Sequence, residues 1–190
     1  MSPAGAGRSP RIGVLALQGD FEAHARMLGS LGADVREVRV PAQLEGVDAL
    51  VLPGGESTVM TLGIAREGLA QPLRDLAAAG TPILGTCAGL IMLDRDHLGI
   101  LDLRAERNAF GRQLRSFEAD LKITGIEGGP VHAVFIRAPW VAEHGGEVEV
   151  LAAVDGHPVA VRQGRVLAVS FHPELSRETR VHGLLLSAIG

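Results

Sequence analysis

The sequence contains no tyrosine, and aromatic side chains make up only 3% of its 190 residues. Proteins that bind single-stranded nucleic acids usually stack bases on aromatic rings, so this scarcity disfavours such a function. The charge agrees, because the formal net charge is −4 and no lysine- or arginine-rich block is present that would contact a phosphate backbone. We therefore expect no nucleic-acid partner.

The chain has one cysteine, so it cannot form an internal disulfide and does not require an oxidising compartment. One thiol cannot support a thiolate metal cluster, and the histidines show no paired ligand spacing such as HExxH. No uninterrupted apolar stretch approaches the roughly 18 residues of a membrane helix. We expect a cytoplasmic protein with no metal, no cofactor and no membrane contact.

Strand and helix patterns alternate through the first half of the chain. Buried or outer strands are predicted at 11–17, 35–40, 48–52 and 82–84, and helices at 20–31, 57–66 and 69–79. Further strands are predicted near 118–124, 130–137, 147–153, 158–162 and 165–171, and a last helix at 177–189. This order predicts an α/β, flavodoxin-like three-layer sandwich with a mixed, mostly parallel central sheet. Residues 1–10, rich in Gly, Pro, Ser and Ala, are interpreted as a flexible tail and not a signal peptide, before a single domain at 11–190.

The lone cysteine, Cys87, stands in the stretch GTCAGL at 85–90, directly after a predicted buried strand. A single cysteine in an apolar setting is usually a small buried hydrophobe. However, G-x-C-x-G between a strand and a helix is the cysteine version of the G-x-S-x-G nucleophile elbow. Such a turn would expose the sulfur near a helix N-terminus, which favours the thiolate, and would aim the Ala88 N–H at an oxyanion.

A nucleophilic cysteine needs a base, and His172 is the best candidate among the seven histidines. It follows the predicted strand at 165–171, and Glu174 lies two residues further on, across a proline. A carboxylate there would fix the imidazole tautomer, so that the other ring nitrogen takes the thiol proton. By itself this segment is typical of a surface turn, but together with the elbow a Cys87–His172–Glu174 triad is favoured. The other six histidines are expected to be solvated.

A second glycine-rich turn, PGGES at 53–57, follows another predicted strand. It lacks the Lys-Ser/Thr of a phosphate-binding loop. The turn is compatible with a plain loop whose Ser57 caps the next helix. The alternative is that bare backbone at Gly54 and Gly55 admits a substrate and supplies a second N–H to the oxyanion hole beside Ala88.

GTCAGL, PGGES and SFHPEL, in this order, resemble the class I, or triad, glutamine amidotransferases. A narrower resemblance is to the glutaminase subunits of pyridoxal 5'-phosphate synthase. It rests on LALQGD at 15–20, PGGEST at 53–58, RNAFGRQ at 107–113, SFEADL at 116–121, FIRAP at 135–139 and SFHPEL at 170–175. The resemblance implies the class I amidotransferase fold and hydrolysis of L-glutamine to glutamate and ammonia. It also implies a hetero-oligomer in which a barrel-shaped synthase receives that ammonia through a channel.

The same resemblance implies roles for individual residues. Cys87 matches the nucleophile, with His172 and Glu174 completing the triad. The residues that match glutamine-binding positions are Gly55, Glu56, Ser57, Arg107, Ile136 and Arg137. Arginine suits the α-carboxylate of glutamine because its guanidinium binds carboxylates in a bidentate manner. Without their motifs, either arginine would be interpreted as solvated surface charge.

Two alternatives stay open at this point. The chain could be a glutaminase for a different synthase, against which RNAFGRQ and FIRAP argue. It could instead be a non-catalytic glutamine-sensing subunit, against which the intact triad argues. The sequence departs from the family in one place, since only Asp94, Arg95 and Asp96 join GTCAGLIML to HLGILDL. A shorter helix or a missing surface loop is expected there.

Overall fold

The computed structural model describes residues 8–111 and 116–190. Its strands are β1 (Arg11–Leu15), β2 (Asp34–Val38), β3 (Ala49–Leu52), β4 (Ile83–Thr86), β5 (Leu103–Glu106), β6 (Ser116–Leu121), β7 (Val131–Ile136), β8 (Trp140–His144), β9 (Glu149–Val154), β10 (His157–Gln163) and β11 (Val166–Val169). Its α-helices are α1 (Phe21–Ser30), α2 (Ser57–Arg66), α3 (Ala70–Ala78), α4 (Ala88–Leu93) and α5 (Arg180–Ser187). Within these two described segments, no helix is long and apolar enough to cross a membrane.

Seven strands form the central sheet, in the order β2-β1-β3-β4-β11-β10-β9. The first five are parallel, whereas β10 runs antiparallel to both β11 and β9. Every residue of β3, β4 and β11 is buried, as expected for parallel strands covered on both faces. The predicted mixed, mostly parallel α/β sheet is confirmed.

The core is divided by the sheet into two apolar clusters. Successive side chains of a strand point to opposite faces, and in β3 Leu50 and Leu52 belong to one cluster, Ala49 and Val51 to the other. The first cluster includes buried side chains of α2, α3 and α4. The second includes side chains of α1, α5 and β7. These two faces give the three layers expected from the sequence.

Two small antiparallel pairs lie outside the central sheet: β5 with β8 and β6 with β7. The sequence analysis predicted β6 and β7 but no strand at β5 or β8. Both missed strands are short, and only one residue of each is buried, so they carry little hydrophobic periodicity.

The short connection after α4 is organised by a buried carboxylate. The helix ends at Leu93 after six residues, and Asp94 is 1% exposed. Its carboxylate accepts hydrogen bonds from the backbone N–H groups of Asp96, His97 and Ala105 and lies 2.7 Å from His97 Nδ1. Residues 94–96 therefore form an ordered turn that the Asp94 carboxylate stabilises through its hydrogen bonds.

Candidate active site

Cys87 lies at the junction of β4 and α4 with φ 50° and ψ −106°. A side-chain-bearing residue rarely adopts positive φ, and such strain concentrates at functional sites. The flanking glycines are sterically required: a Cβ on Gly85 would lie 2.8 Å from the Gly89 carbonyl oxygen, and one on Gly89 would overlap the Leu52 carbonyl oxygen. The backbone is thus shaped as the nucleophile-elbow interpretation requires.

His172 leaves the end of β11, the strand next to β4, and faces the elbow. Its Nδ1 lies 2.6 Å from Glu174 Oε1, and both residues are buried. A Cβ added to Gly54 would lie 2.5 Å from His172 Cε1 and 3.5 Å from Cys87 Cβ. The structure therefore places the PGGES turn, Cys87 and the imidazole of His172 next to one another at the carboxyl edge of the sheet.

The protonation of His172 follows from its partners. Burial lowers its pKa, but hydrogen bonds with Cys87 and Glu174 and the charges of these two groups outweigh burial and raise the pKa to about 10. A doubly protonated imidazole is thereby favoured at neutral pH beside the sulfur. Asp20 adds a second carboxylate, with Oδ2 3.9 Å from His172 Nδ1. Ligand atoms of Asp20, His172 and Glu174 lie close enough together to hold a cation, but Nδ1 and Oε1 already bind each other.

The candidate oxyanion region combines a helix start with the glycine turn. Ala88 is the first residue of α4, and the first N–H groups of a helix have no partner inside it. On the other side, Gly55 has φ 141°, a conformation that glycine tolerates. Gln18 braces this turn, because its side-chain amide both donates to and accepts from the Glu56 backbone at 3.1 Å. The sequence analysis did not single out Gln18.

The start of α2 differs from the plain-loop interpretation of the PGGES turn. The N-cap of α2 is Glu56 and not Ser57: its carboxylate accepts from Thr58 N at 3.3 Å and Val59 N at 2.9 Å. The pKa of Glu56 is lowered, chiefly by the hydrogen bond from Val59 N and then by the one from Thr58 N, with a further contribution from the charge of the nearby Arg107. Ser57 is instead the buried first residue of the helix. At α1, Asp20 occupies the N-cap position but makes no side-chain capping bond.

A cavity of about 380 Å³ opens at this edge, within the usual range of about 300–1,000 Å³ for small-molecule sites. It is lined by Asp20, Gly55, Glu56, Ser57, Cys87, Ala88, Ile91, Arg107, Asn108, Ile136, Arg137 and His172. Of the residues predicted from sequence, only Gly54 and Glu174 are outside the lining, and both contact His172 from behind it. Asp20, Ile91 and Asn108 were not predicted as site residues.

Backbone strain concentrates around the cavity. In the described part of the chain, four residues other than glycine have positive φ. Three of them, Cys87, Asn108 and Arg137, line the cavity, and the fourth, Asp155, lies in the turn between β9 and β10. Because packing must maintain such conformations, their grouping supports the hypothesis that this cavity is the functional site.

The cavity carries charges of both signs. Arg107 and Arg137 are exposed cations, and Arg107 Nη1 donates to Thr58 Oγ1 at 3.2 Å. Asp20 and Glu56 supply carboxylates. This combination suits a small zwitterion, whose carboxylate and ammonium groups need partners of opposite charge. Residues 112 and 113 of the RNAFGRQ motif lie outside the described residues.

The expectation that the six other histidines are solvated is wrong for two of them. His24 and His182 are both 0% exposed. Each lies on the buried side of a helix, His24 in α1 and His182 in α5. The remaining four are partly or fully exposed.

A strained cysteine elbow at the carboxyl edge of a mostly parallel sheet, facing a histidine–carboxylate pair, is typical of α/β enzymes with a cysteine nucleophile. The chain belongs to the SNO glutamine amidotransferase family, whose model matches residues 14–189. It is 54% identical over 189 residues to a pyridoxal 5'-phosphate synthase subunit PdxT of Frankia alni, covering 95% of both chains. A subunit of the same name from Acidothermus cellulolyticus is 52% identical, covering 95% of this chain and 94% of that one. A crystal structure described as a glutamine amidotransferase superposes with a TM-score of 0.89 at 46% identity, covering 94% of this chain and 98% of that chain.

Proposed function

We propose that this chain hydrolyses L-glutamine to glutamate and ammonia through Cys87, His172 and Glu174. The observation that carries the proposal is the buried His172–Glu174 pair, joined at 2.6 Å, beside the strained Cys87 elbow. The chain functions as a glutaminase in pyridoxal 5'-phosphate biosynthesis, since it is about half identical over nearly its whole length to synthase subunits of that pathway. A glutaminase for another synthase and a non-catalytic sensor are not favoured.

Substrate binding is assigned to the mixed charges of the cavity. The α-carboxylate of glutamine pairs with Arg107 and Arg137, since guanidinium groups bind carboxylates with two parallel hydrogen bonds. Gly55, Glu56 and Ser57 border the bound amino acid on the side of α2, and Ile136 contacts its aliphatic part. The Ile136 carbonyl oxygen lies 4.0 Å from Cys87 Sγ, so this segment borders the reacting end of the substrate.

The reaction then runs through an acyl-enzyme. The Cys87 thiolate attacks the side-chain amide carbon, and the N–H of Ala88 with the Gly54–Gly55 turn stabilises the oxyanion. Protonated His172 gives its proton to the departing ammonia. Neutral His172 next takes a proton from water, which attacks the thioester; collapse releases glutamate and restores the thiolate and the imidazolium. The raised pKa of His172 suits its first role, that of a general acid.

We further propose that residues 11–190 act as one amidotransferase domain in a hetero-oligomer with a barrel-shaped synthase subunit in the cytoplasm. Neither a metal nor a cofactor is needed, because the thiol and imidazole supply both the nucleophile and the proton transfers. Ammonia release without an acceptor would be wasteful, so low activity alone and higher activity with the synthase are expected. A glycine peptide flips at little cost, which makes the Gly54–Gly55 turn the natural switch.

The test is release of ammonia and glutamate from L-glutamine, with and without the synthase subunit, for wild type and Cys87→Ala. Release that requires Cys87 and rises with the synthase supports the proposal. Release that persists in Cys87→Ala would refute the assigned nucleophile. Equal rates with and without the synthase would refute partner activation and leave the triad standing.

A further inference from the structure

A second buried group of histidines lies behind the triad, on the side away from the cavity. His24 of α1 and His182 of α5 are fully buried, and His24 Nδ1 lies 2.8 Å from His182 Nε2. His24 Nε2 faces the triad: it lies 3.3 Å from Glu174 Oε2 and 3.1 Å from Thr86 Oγ1. The proposed mechanism uses neither histidine.

Burying two imidazoles is costly unless their polar atoms are paired. Burial lowers the pKa of His182 to about 4. The pKa of His24 lies well below its ordinary value. Burial is the largest cause, followed by charge repulsion from His182 and His172. Both rings are therefore neutral, and each carries a single N–H.

The carboxylate of Glu174 decides which nitrogen carries that hydrogen. If His24 were protonated on Nδ1, its Nε2 lone pair would face the negative Oε2 atom. With the hydrogen on Nε2, the N–H donates to Thr86 Oγ1, its positive end lies close to Oε2, and His24 Nδ1 becomes an acceptor. His182 must then donate from Nε2, which leaves its Nδ1 as an unpaired acceptor; Nδ1 indeed has no partner among the described residues.

The two oxygens of Glu174 are thus divided between two histidines. Oε1 binds His172 at 2.6 Å. Oε2 accepts no hydrogen bond within the described part of the chain. Its contact with His24 is therefore between the carboxylate charge and the dipole of the N–H group. Catalytic hydrogen bonds are often long before substrate binds and tighten in the complex.

We propose that His24, in its Nε2–H tautomer with Nδ1 accepting from His182, is a positioning residue that keeps Glu174 aimed at His172. Without it, the buried Oε2 of Glu174 would lose the N–H dipole that lies 3.3 Å away, and rotation of the carboxylate would loosen the bond that orients His172. Thr86 precedes Cys87 in the chain, so the same ring also braces the strand that ends in the nucleophile. The inference rests on the proposed glutaminase function.

The kinetic test uses the full chain with its synthase subunit. His24→Leu removes the N–H, whereas His24→Gln places an amide nitrogen near the position of Nε2. His172 acts in acid–base steps worth about 10²–10⁴-fold, so partial misalignment should lower kcat about tenfold or more in His24→Leu. KM should change little because His24 does not line the cavity, and His24→Gln should recover most of kcat.

Leu28→Ala is the matched control, because Leu28 is fully buried one turn along the same helix and does not belong to the histidine group. It should lower the melting temperature without lowering kcat. If His24→Leu matches this control in kcat, or if His24→Gln is as slow as His24→Leu, the positioning role is wrong.

A second measurement requires neither an activity assay nor a folded variant. ¹⁵N-histidine spectra of the wild-type chain report the tautomer of each ring, and Nε2–H signals for neutral His24 and His182 at pH 7 are expected. A Nδ1–H tautomer or an imidazolium at His24 would overturn the inference. Absence of glutaminase activity in wild type together with the expected tautomers would instead count against the proposed function alone.

Discussion

The buried histidine pair should make the protein unusually sensitive to mild acid. His24 and His182 are fully buried, and their pKa values lie below the ordinary value of about 6.5. The unfolded chain therefore binds protons that the folded chain excludes, and stability is lost as pH falls below about 6.5.

The magnitude follows from the pKa of His182, which is about 4 in the folded protein. Below pH 6.5 each pH unit costs about 1.4 kcal/mol for this group until the folded ring itself titrates. Between pH 7.5 and pH 5 the loss from His182 is therefore about 2 kcal/mol, and His24 adds a loss of the same sign. This is a large part of a total stability of roughly 5–15 kcal/mol.

Other groups with shifted pKa values act in different pH windows. The raised pKa of His172 gives a stabilisation that is complete below about pH 6.5 and is lost only as pH rises towards 10. The lowered pKa values of Asp48 and Glu178 give stabilisation that is lost only below their unfolded values, near about pH 4. The raised pKa of His132 acts in the same window as that of His172. Between pH 6.5 and pH 7.5 both contributions change, but they are common to wild type and a His182 variant and cancel in the difference between the two proteins.

The assay is urea unfolding at pH 7.5 and pH 5.0 for wild type, His182→Met and the exposed control His144→Gln. The difference in free energy of unfolding between the two pH values should shrink by about 2 kcal/mol in His182→Met and stay unchanged in His144→Gln. An equal acid loss in wild type and His182→Met would refute the argument that burial of this ring causes it.

Two further substitutions probe the cavity. Gly54→Ala should lower kcat at least about 100-fold, because the new Cβ would lie 2.5 Å from His172 Cε1. The control, Gly146→Ala, places its Cβ in open space and should be neutral. A Gly54→Ala variant with wild-type activity would contradict the tight contact with His172. Arg107→Ala should raise KM for glutamine about tenfold or more, since a charge-assisted hydrogen bond contributes about 1.5–3 kcal/mol, with kcat less affected. The control is Arg104→Ala, and equal KM values for both arginine variants would remove Arg107 from substrate binding.

Local sequence was sufficient to single out Cys87, His172 and Glu174 as the candidate triad. A glycine on each side of Cys87 and a proline between His172 and Glu174 are signals within a few residues, because they reflect backbone geometry at one turn. The alternation of apolar runs with helical patterns likewise predicted the parallel sheet, since strands buried on both faces must be apolar throughout.

Tertiary structure decided how these groups meet. Cys87 and His172 come together because β4 and β11 are parallel neighbours, with Thr86 paired to Val169, and strand order is not encoded in any local pattern. The same holds for His24 and His182. The helix predicted at 20–31 ends at the apolar Leu31, which is 37% exposed, whereas the polar His24 within it is fully buried. A histidine on an amphipathic helix is buried only if a second helix supplies its partner, and that depends on α1 and α5 packing on the same face of the sheet.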